Sequence, residues 1–428
     1  MWTAGKLPES AIAMKSNRRD FIKIAAAGAT LLAGNNVRAL GTSGPSAEEL
    51  DKAAARPVLR CELFRSPVLI ASVELLRNDR EFLVRVRTDD GAEGLAVSNS
   101  AKMRSLYPLF LQQVAPFFVG KDARDLDALI DGVFIWKTNY KLQGQSFWVC
   151  VASVEFAILD LLGKIAGKPV GETLGNVYQR KVAIYRASGN RGNTPEEEIA
   201  VLEKMVGDTG TNAIKFKVGG RMQRNRDSLP GRSEALIPMV RKTFGEDMTV
   251  YADSNGSYDV ENSIRIGRLM QENRFAFFEE PCPFDQLNET KQVADTLTIP
   301  IAGGEQESSH HRFRWMILND GLQIVQPDLF YFGGFIRTIR VARMAQVAGI
   351  PCTPHMSGTS LGFMYVLHYA SIMKNCGPHQ EYKGGPRVPL SEPTSSLLSE
   401  GGTVSVPTGP GWGVTVDPGF VNKAVLVY

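Results

Sequence analysis

The sequence predicts a parallel α/β barrel preceded by a smaller α+β domain. Six apolar, strand-like runs each end in a charged residue: Lys217 in AIKFKVGG, Asp253 in TVYADSN, Glu279 in FAFFEEP, Glu305 in IPIAGGE, Asp328 in LQIVQPD and His355 in IPCTPHM. A charge at the end of a buried strand costs desolvation free energy unless a metal, a partner or a substrate uses it. The last five are spaced 26, 26, 23 and 27 residues apart, which leaves room each time for one strand, one helix and two short loops. That repeat is the βα unit of a barrel, whose functional groups gather where the strands end. A chain of 428 residues is also too long for one ordinary core, so a barrel plus a smaller domain fits the length.

Residues 1–39 carry Lys6, Lys15, Arg18, Arg19, Lys23 and Arg38 against Glu9 and Asp20. Arg18-Arg19-Asp20-Phe21-Ile22-Lys23 precedes the apolar stretch 24–33, and Val37-Arg38-Ala39 offers a small-residue cleavage site. This order of charged, apolar and small residues is that of a secretory leader. The paired arginines resemble a twin-arginine export signal, which implies a periplasmic protein. The apolar stretch falls short of the ~20 residues that span a bilayer; a membrane-anchoring helix is the alternative reading. No other segment is apolar enough to span, so no stable membrane anchor is expected.

The formal charge of +3 comes from that leader, since the remainder holds 42 basic and 43 acidic residues and gives no nucleic-acid-binding surface. Hydrophobic residues at 43% and charged residues at 22% fit a soluble globular enzyme. Five scattered cysteines with no CxxC pair fit neither a zinc site nor a disulfide framework and read as small buried hydrophobes.

Residues 58–180 form the first domain. Alternating stretches 68–77 and 81–87, joined at Asn78-Asp79, read as a hairpin-led antiparallel sheet. In 151–165, Val154, Ile158, Leu161, Leu162 and Ile165 recur at helical spacing. The barrel occupies 181–395, with strands expected at 182–187, 213–218, 249–252, 275–278, 299–302, 322–325, 350–353 and 379–382. Residues 396–428 read as short strands and turns that fold back on the first domain. On the second barrel strand, Lys215 and Lys217 alternate with Phe216, so both ammonium groups point inward. Two adjacent cations depress each other's pKa, which is how a lysine becomes a base near neutrality.

These residues, in this order, resemble the enolase superfamily, and within it the mandelate racemase subgroup that includes acid-sugar dehydratases. The likeness includes the run from Ser153-Val154-Glu155 to Gly163-Lys164, with Gly167-Lys168-Pro169 after it. It implies a (β/α)7β modified TIM barrel under an α+β capping domain, and a homo-oligomer of even number. It implies that Asp253, Glu279 and Glu305 hold one divalent ion. Hard oxygen ligands without His or Cys favour Mg2+ over zinc. Asn255 and Glu280 would support that site from beside it. Lys217 would be the base, Lys215 and Glu381 would sit near the substrate carboxylate, and Asp328 would orient His355.

Such a site removes the proton α to a carboxylate and stabilises the enediolate that results. The resemblance favours dehydration of a sugar acid to a 2-keto-3-deoxy acid, with His355 as acid for the leaving hydroxyl. Racemisation or epimerisation of a 2-hydroxy acid is the alternative, and a non-catalytic acid-sugar binding protein is a second one. Two capping loops, 64–71 and 97–106, are expected to set the substrate, with Arg65, Lys102 and Arg104 either as contacts to it or as solvated surface charges. His310, His311 and His368 lack such a context.

Overall fold

A computed structural model describes residues 44–428 apart from Gln223, Thr359 and 392–394. Residues 1–39, on which the export reading rests, lie outside the described residues. Among the described residues, no helix is long and apolar enough to cross a membrane.

The first layer is an antiparallel sheet of β1 (Ile70–Asn78), β2 (Glu81–Thr88) and β3 (Glu93–Val97). Its hairpin turns tightly at Asp79, in the left-handed region at φ 52°. Against this sheet lies the helix Gln145–Ala166, buried continuously from Phe147 to Gly163 because it is covered on both sides. Gly94 permits the contact: a Cβ there would meet the Ala157 carbonyl oxygen at 2.1 Å. Ile165, counted on the apolar face from spacing, is instead 44% exposed, since it falls past the end of that covered stretch.

The second unit is a curled parallel sheet with a helix after each strand but the last. Its strands are β4 (Lys181–Ala187), β5 (Ala213–Lys217), β6 (Thr249–Asp253), β7 (Phe277–Glu279), β8 (Ile301–Gly303), β9 (Ile324–Val325) and β10 (Gln380–Tyr382). They run in the order β10-β4-β5-β6-β7-β8-β9. This is the α/β barrel with an α+β capping domain. The alternation of side chains separates two apolar regions. Outward residues such as Ile214, Phe216, Val250, Phe278 and Ile301 pack under the helices in the main core. Inward residues Tyr185, Ala213, Tyr251, Phe277 and Ala302 form their own cluster on the barrel axis. Tyr251 stacks on Phe277 at 4.1 Å between ring centres, and the small alanines leave room for these rings.

One expected strand is absent as a ladder. At 350–353 the chain makes only isolated parallel bridges, Val325 to Cys352 and Asp328 to His355. Pro351 and Pro354 have no N–H to donate, so a continuous ladder cannot form there. The tail returns as β11 (Leu390–Ser391) pairing β13 (Thr415–Val416), β12 (Thr403–Ser405) pairing β4, and β14 (Val425–Leu426) pairing β1.

Candidate active site

The barrel's register aligns the charged strand ends. Lys217 is the Cα partner of Asp253, and Asp253 the partner of Glu279, so three adjacent strands end in one row. Glu305 follows β8 by two residues, and Asp328 bridges His355 beyond β9. Period-two alternation then turns all of these side chains into one mouth.

Ligand oxygens of Asp253, Glu279 and Glu305 lie within 4.8 Å of one another, and all three residues are buried. Lys215 Nζ donates to Glu279 Oε2 at 2.7 Å, and Lys217 Nζ donates to Asp253 Oδ2. Asn255, at φ 43°, donates its backbone N–H to Asp253 Oδ1 at 2.7 Å. Its Nδ2 donates to Glu280 Oε2 at 3.0 Å and to Glu305 Oε1 at 3.4 Å. Arg191 Nη2 donates to Asn255 Oδ1 at 2.8 Å, which fixes the orientation of that amide.

On the other side, His355 Nδ1 meets Asp328 Oδ2 at 2.6 Å, and its Nε2 faces Glu305 Oε2 at 3.4 Å and Glu381 Oε2 at 3.6 Å. A carboxylate flooded with donors can only accept, so Nδ1 carries the proton and Nε2 is the working nitrogen. Glu381 Oε2 is also 3.6 Å from Lys215 Nζ, which joins the lysine side of the mouth to the histidine side.

Electrostatics separate these groups. Burial alone would drive charge off Asp253, but Lys217 and Lys215 hold its carboxyl below the ordinary value. Burial, with Asp253 and Glu305 nearby, pushes Glu279 up against the pull of Lys215. Burial and the neighbouring acids push Glu280 well up. Glu381 is driven down despite burial by Lys215, Lys383 and His355. Burial opposes the charged form of His355, yet Glu305 and Asp328 outweigh it and raise its pKa. Lys215 departs from the expectation for paired lysines. Burial would lower it, but Glu279 and other acidic neighbours hold it well above its usual value, so it stays charged.

Asp253, Glu279, Glu280, Glu305, Asp328 and Glu381 are all buried at one end of the barrel beside the Lys215 and Lys217 Nζ groups, and the Oε1 atoms of both Glu279 and Glu280 are buried without a hydrogen-bond partner. Unpartnered hard oxygens in an excess of negative charge fit a divalent cation held by Asp253, Glu279 and Glu305.

All ten site residues named from sequence converge here. The proposed capping-loop contacts divide. Lys102 lies 5.7 Å from the ring centre of Tyr331, beside the dyad. Arg65 lines a groove with Phe64, Pro67, Asp90 and Ile165 on the capping domain, and Arg104 is exposed. His368 is a buried neutral residue. Its Nδ1 accepts from the Gly171 N–H, so its Nε2 donates to the Trp412 carbonyl oxygen.

Residues unmarked in the sequence also reach the site. Gln326 Nε2 lies 3.4 Å from Glu279 Oε2, Ser357 Oγ donates to Asp328 Oδ1 at 2.9 Å, and Lys383 Nζ is 3.9 Å from Glu381 Oε1. Each stands two residues from a recognised one, at Asp328, His355 or Glu381. The two-residue period could have found them.

Two family models match the chain. Residues 58–175 match the mandelate racemase/muconate lactonizing enzyme N-terminal domain, and 197–420 match the enolase C-terminal domain-like model. Arabinonate dehydratase of Saccharolobus solfataricus is 26% identical over 342 residues, covering 79% of this chain and 88% of the relative. L-talarate/galactarate dehydratase of Salmonella typhimurium is 25% identical over 326 residues, covering 75% and 79%. A solved protein of Roseobacter denitrificans, provisionally called a racemase, superimposes with a TM-score of 0.78 at 35% identity, over 84% of this chain and 99% of that one. A mandelate racemase/muconate lactonizing protein of Paracoccus denitrificans solved with magnesium gives a TM-score of 0.75 at 25% identity, over 84% and 99%.

Proposed function

The chain belongs to the mandelate racemase subgroup of the enolase superfamily, and from that premise we propose that it is a Mg2+-dependent dehydratase of sugar acids. The observation that carries the proposal is the placement of a lysine pair and a His–Asp dyad on opposite sides of three strands that end in carboxylates. The relatives named as arabinonate and L-talarate/galactarate dehydratases supply the choice of dehydration and of substrate class.

Asp253, Glu279 and Glu305 would hold the ion. When bound, Mg2+ supplies the positive charge that makes a proton next to a carboxylate removable. Lys215 stays charged and donates to the substrate carboxylate, whose growing charge it stabilises. Lys217, acting as the free amine, takes the α-proton, leaving an enediolate. His355, protonated on both nitrogens, delivers the Nε2 proton to the β-hydroxyl as the carbon–oxygen bond breaks and water departs. The enol then gives up its hydroxyl proton to solvent as its β-carbon takes one up, which gives the 2-keto-3-deoxy acid. Asp328 keeps Nδ1 protonated throughout, so only Nε2 changes state.

Racemisation or epimerisation of a 2-hydroxy acid is the second reading, favoured by the Roseobacter denitrificans relative. In that case the opposite acid returns a proton to the α-carbon. Proton NMR in D2O, with Mg2+ and a panel of aldonic, aldaric and uronic acids, separates the two. Loss of one α-proton signal with a new deoxy methylene is expected. Exchange without water loss would replace dehydration by racemisation or epimerisation, and silence across the panel would overturn the sugar-acid reading.

Export to the periplasm is a further proposal, supported by the order of residues in 1–39. A reporter fused to residues 1–45 should be exported, and Arg18→Lys with Arg19→Lys should stop it; a cytoplasmic reporter would end the proposal.

A further inference from the structure

A single line of hydrogen bonds runs from the capping domain to the dyad. Asn99 is buried and forms the N-cap of the helix Ser100–Leu109, its Oδ1 accepting from the Lys102 N–H at 3.3 Å. A backbone N–H can only donate, so the amide oxygen must face the helix and the amide nitrogen must face away. Asn99 Nδ2 accordingly donates to Ser357 Oγ at 3.0 Å. The hydroxyl of Ser357, accepting from Asn99, directs its own proton to Asp328 Oδ1 at 2.9 Å. Asp328 Oδ2 then accepts from the Ser357 N–H and from His355 Nδ1. Every donor in this line has one direction, and it adds to the Phe330 and Tyr331 N–H groups that donate to Asp328 Oδ1 at 2.8 and 2.7 Å from its own loop.

The origin of the line is rigid. Val97 N donates to the Tyr365 hydroxyl at 3.1 Å, and that hydroxyl donates back to the Val97 carbonyl at 3.0 Å. Ser98 Oγ lies 2.8 Å from Ser153 Oγ on the long capping helix. Asn99 therefore follows a segment held both by the capping helix, through Ser153, and by the barrel helix that carries Tyr365.

We infer that Asn99, acting through Ser357, is a positioning residue of the capping domain that sets the hydrogen-bonded orientation of the His355–Asp328 dyad. Proton transfer at the histidine side of the mouth then depends on the seating of the capping domain, and transfer at Lys217 does not. The kinetic part of the inference rests on the proposed chemistry; the orientation of the dyad does not.

Asn99→Asp keeps an oxygen able to cap the helix while removing the donor to Ser357, and Asn99→Ser caps through a hydroxyl on a shorter side chain that withdraws the amide nitrogen from Ser357. One net hydrogen bond is worth about 1 kcal/mol, so kcat should fall about five- to tenfold with KM little changed. Exchange of the α-proton in D2O, which reads transfer to Lys217, should persist, while release of water, which needs the Nε2 proton of His355, should slow. Ser357→Ala should reproduce both effects. A residue that only caps a helix would instead leave both rates as in wild type.

The second measurement needs no substrate. In full-length protein with Mg2+ and 15N-labelled histidine, the Nδ1–H resonance of His355, assigned by its loss in His355→Gln, should be downfield and slow to exchange with water. It should move upfield and exchange faster in Asn99→Asp, with the far-ultraviolet dichroism unchanged. An unchanged Nδ1–H resonance in both Asn99 variants would overturn the inference. If that resonance responds while no acid in the panel loses its α-proton, the positioning role stands and the proposed function falls.

Discussion

Asn255 illustrates how much one side chain carries at the barrel mouth. With its backbone N–H on Asp253 and its amide split between Glu280, Glu305 and Arg191, it steadies two of the three carboxylates in the triad. It does so at a positive φ that a non-glycine residue adopts at a cost of order 1–3 kcal/mol. Groups that orient metal ligands are worth about 10- to 100-fold in affinity. Titration calorimetry of Asn255→Ala with Mg2+ should show a loss in that range, and unchanged binding would remove Asn255 from the site's support. Lys217→Ala should behave in the opposite way. Removing its ammonium from Asp253 leaves more negative charge in the triad, so Mg2+ should bind at least as tightly. Turnover should nonetheless fall by about 10²- to 10⁴-fold, the contribution of a positioned base. Weaker Mg2+ binding together with normal turnover would reverse the assignment. At this scale the charged strand ends were legible because burial makes an isolated charge conspicuous. Asn99, Ser357 and Gln326 carry no such penalty because they are neutral, and only the two-residue spacing from His355 and Asp328 points to the last two.

Among the elements, the helix Phe335–Ala348 depends on a residue from the other domain. It begins at Gly334 with no side-chain cap of its own, and Glu155 Oε1 accepts from the Ile336 N–H at 3.0 Å while Oε2 accepts from the Phe335 N–H at 2.5 Å. The run around Glu155 identified the family from sequence; the structure adds that this carboxylate joins the capping helix to a barrel helix. Gly334 has φ 102°, and a Cβ there would lie 1.6 Å from Glu155 Oε2. Gly334→Ala should therefore destabilise the fold by more than about 2 kcal/mol in urea unfolding. Burial pushes Glu155 up to about 8, against the pull of the two N–H donors. The folded state then binds a proton that the unfolded state has released, so this group's stabilisation is present below its ordinary pKa and is lost as pH rises toward 8. Glu155→Gln should flatten the fall in melting temperature between about pH 5 and pH 8; an identical slope in both proteins would show that Glu155 is ionised throughout. Strand positions were legible to within two residues. The exceptions were Glu93–Val97, a short glycine-containing strand not anticipated from its residues, and 350–353, an apolar run without a ladder because Pro351 within it and Pro354 beside it withhold donors.

Across the whole molecule, the fold depends on a tail whose destinations are not written in its residue types. Val425 and Leu426 are exposed, yet they extend the first sheet, while Thr403–Ser405 adds to the barrel. Trp412 lies between these contacts. It is 1% exposed, and its N–H and Nε1 donate to Asp160 Oδ1 at 3.0 Å and to the Phe156 carbonyl at 3.2 Å on the capping helix. Its ring meets Tyr365 at 4.5 Å and Phe335 at 5.7 Å on two barrel helices. Asp160 in turn accepts from the Leu95 N–H of the capping sheet. One side chain thus touches the capping helix and the barrel at once, and removing it leaves a cavity that neither can fill alone. Trp412→Ala should cost about 3–5 kcal/mol, the range for deleting a buried aromatic. If the tail couples the two parts, the variant should also lose cooperativity, and its calorimetric trace should split into two transitions where the wild type gives one. A single transition lowered in temperature would mean that the direct contacts of the capping helix with the barrel, through Glu155, suffice to keep the molecule one folding unit.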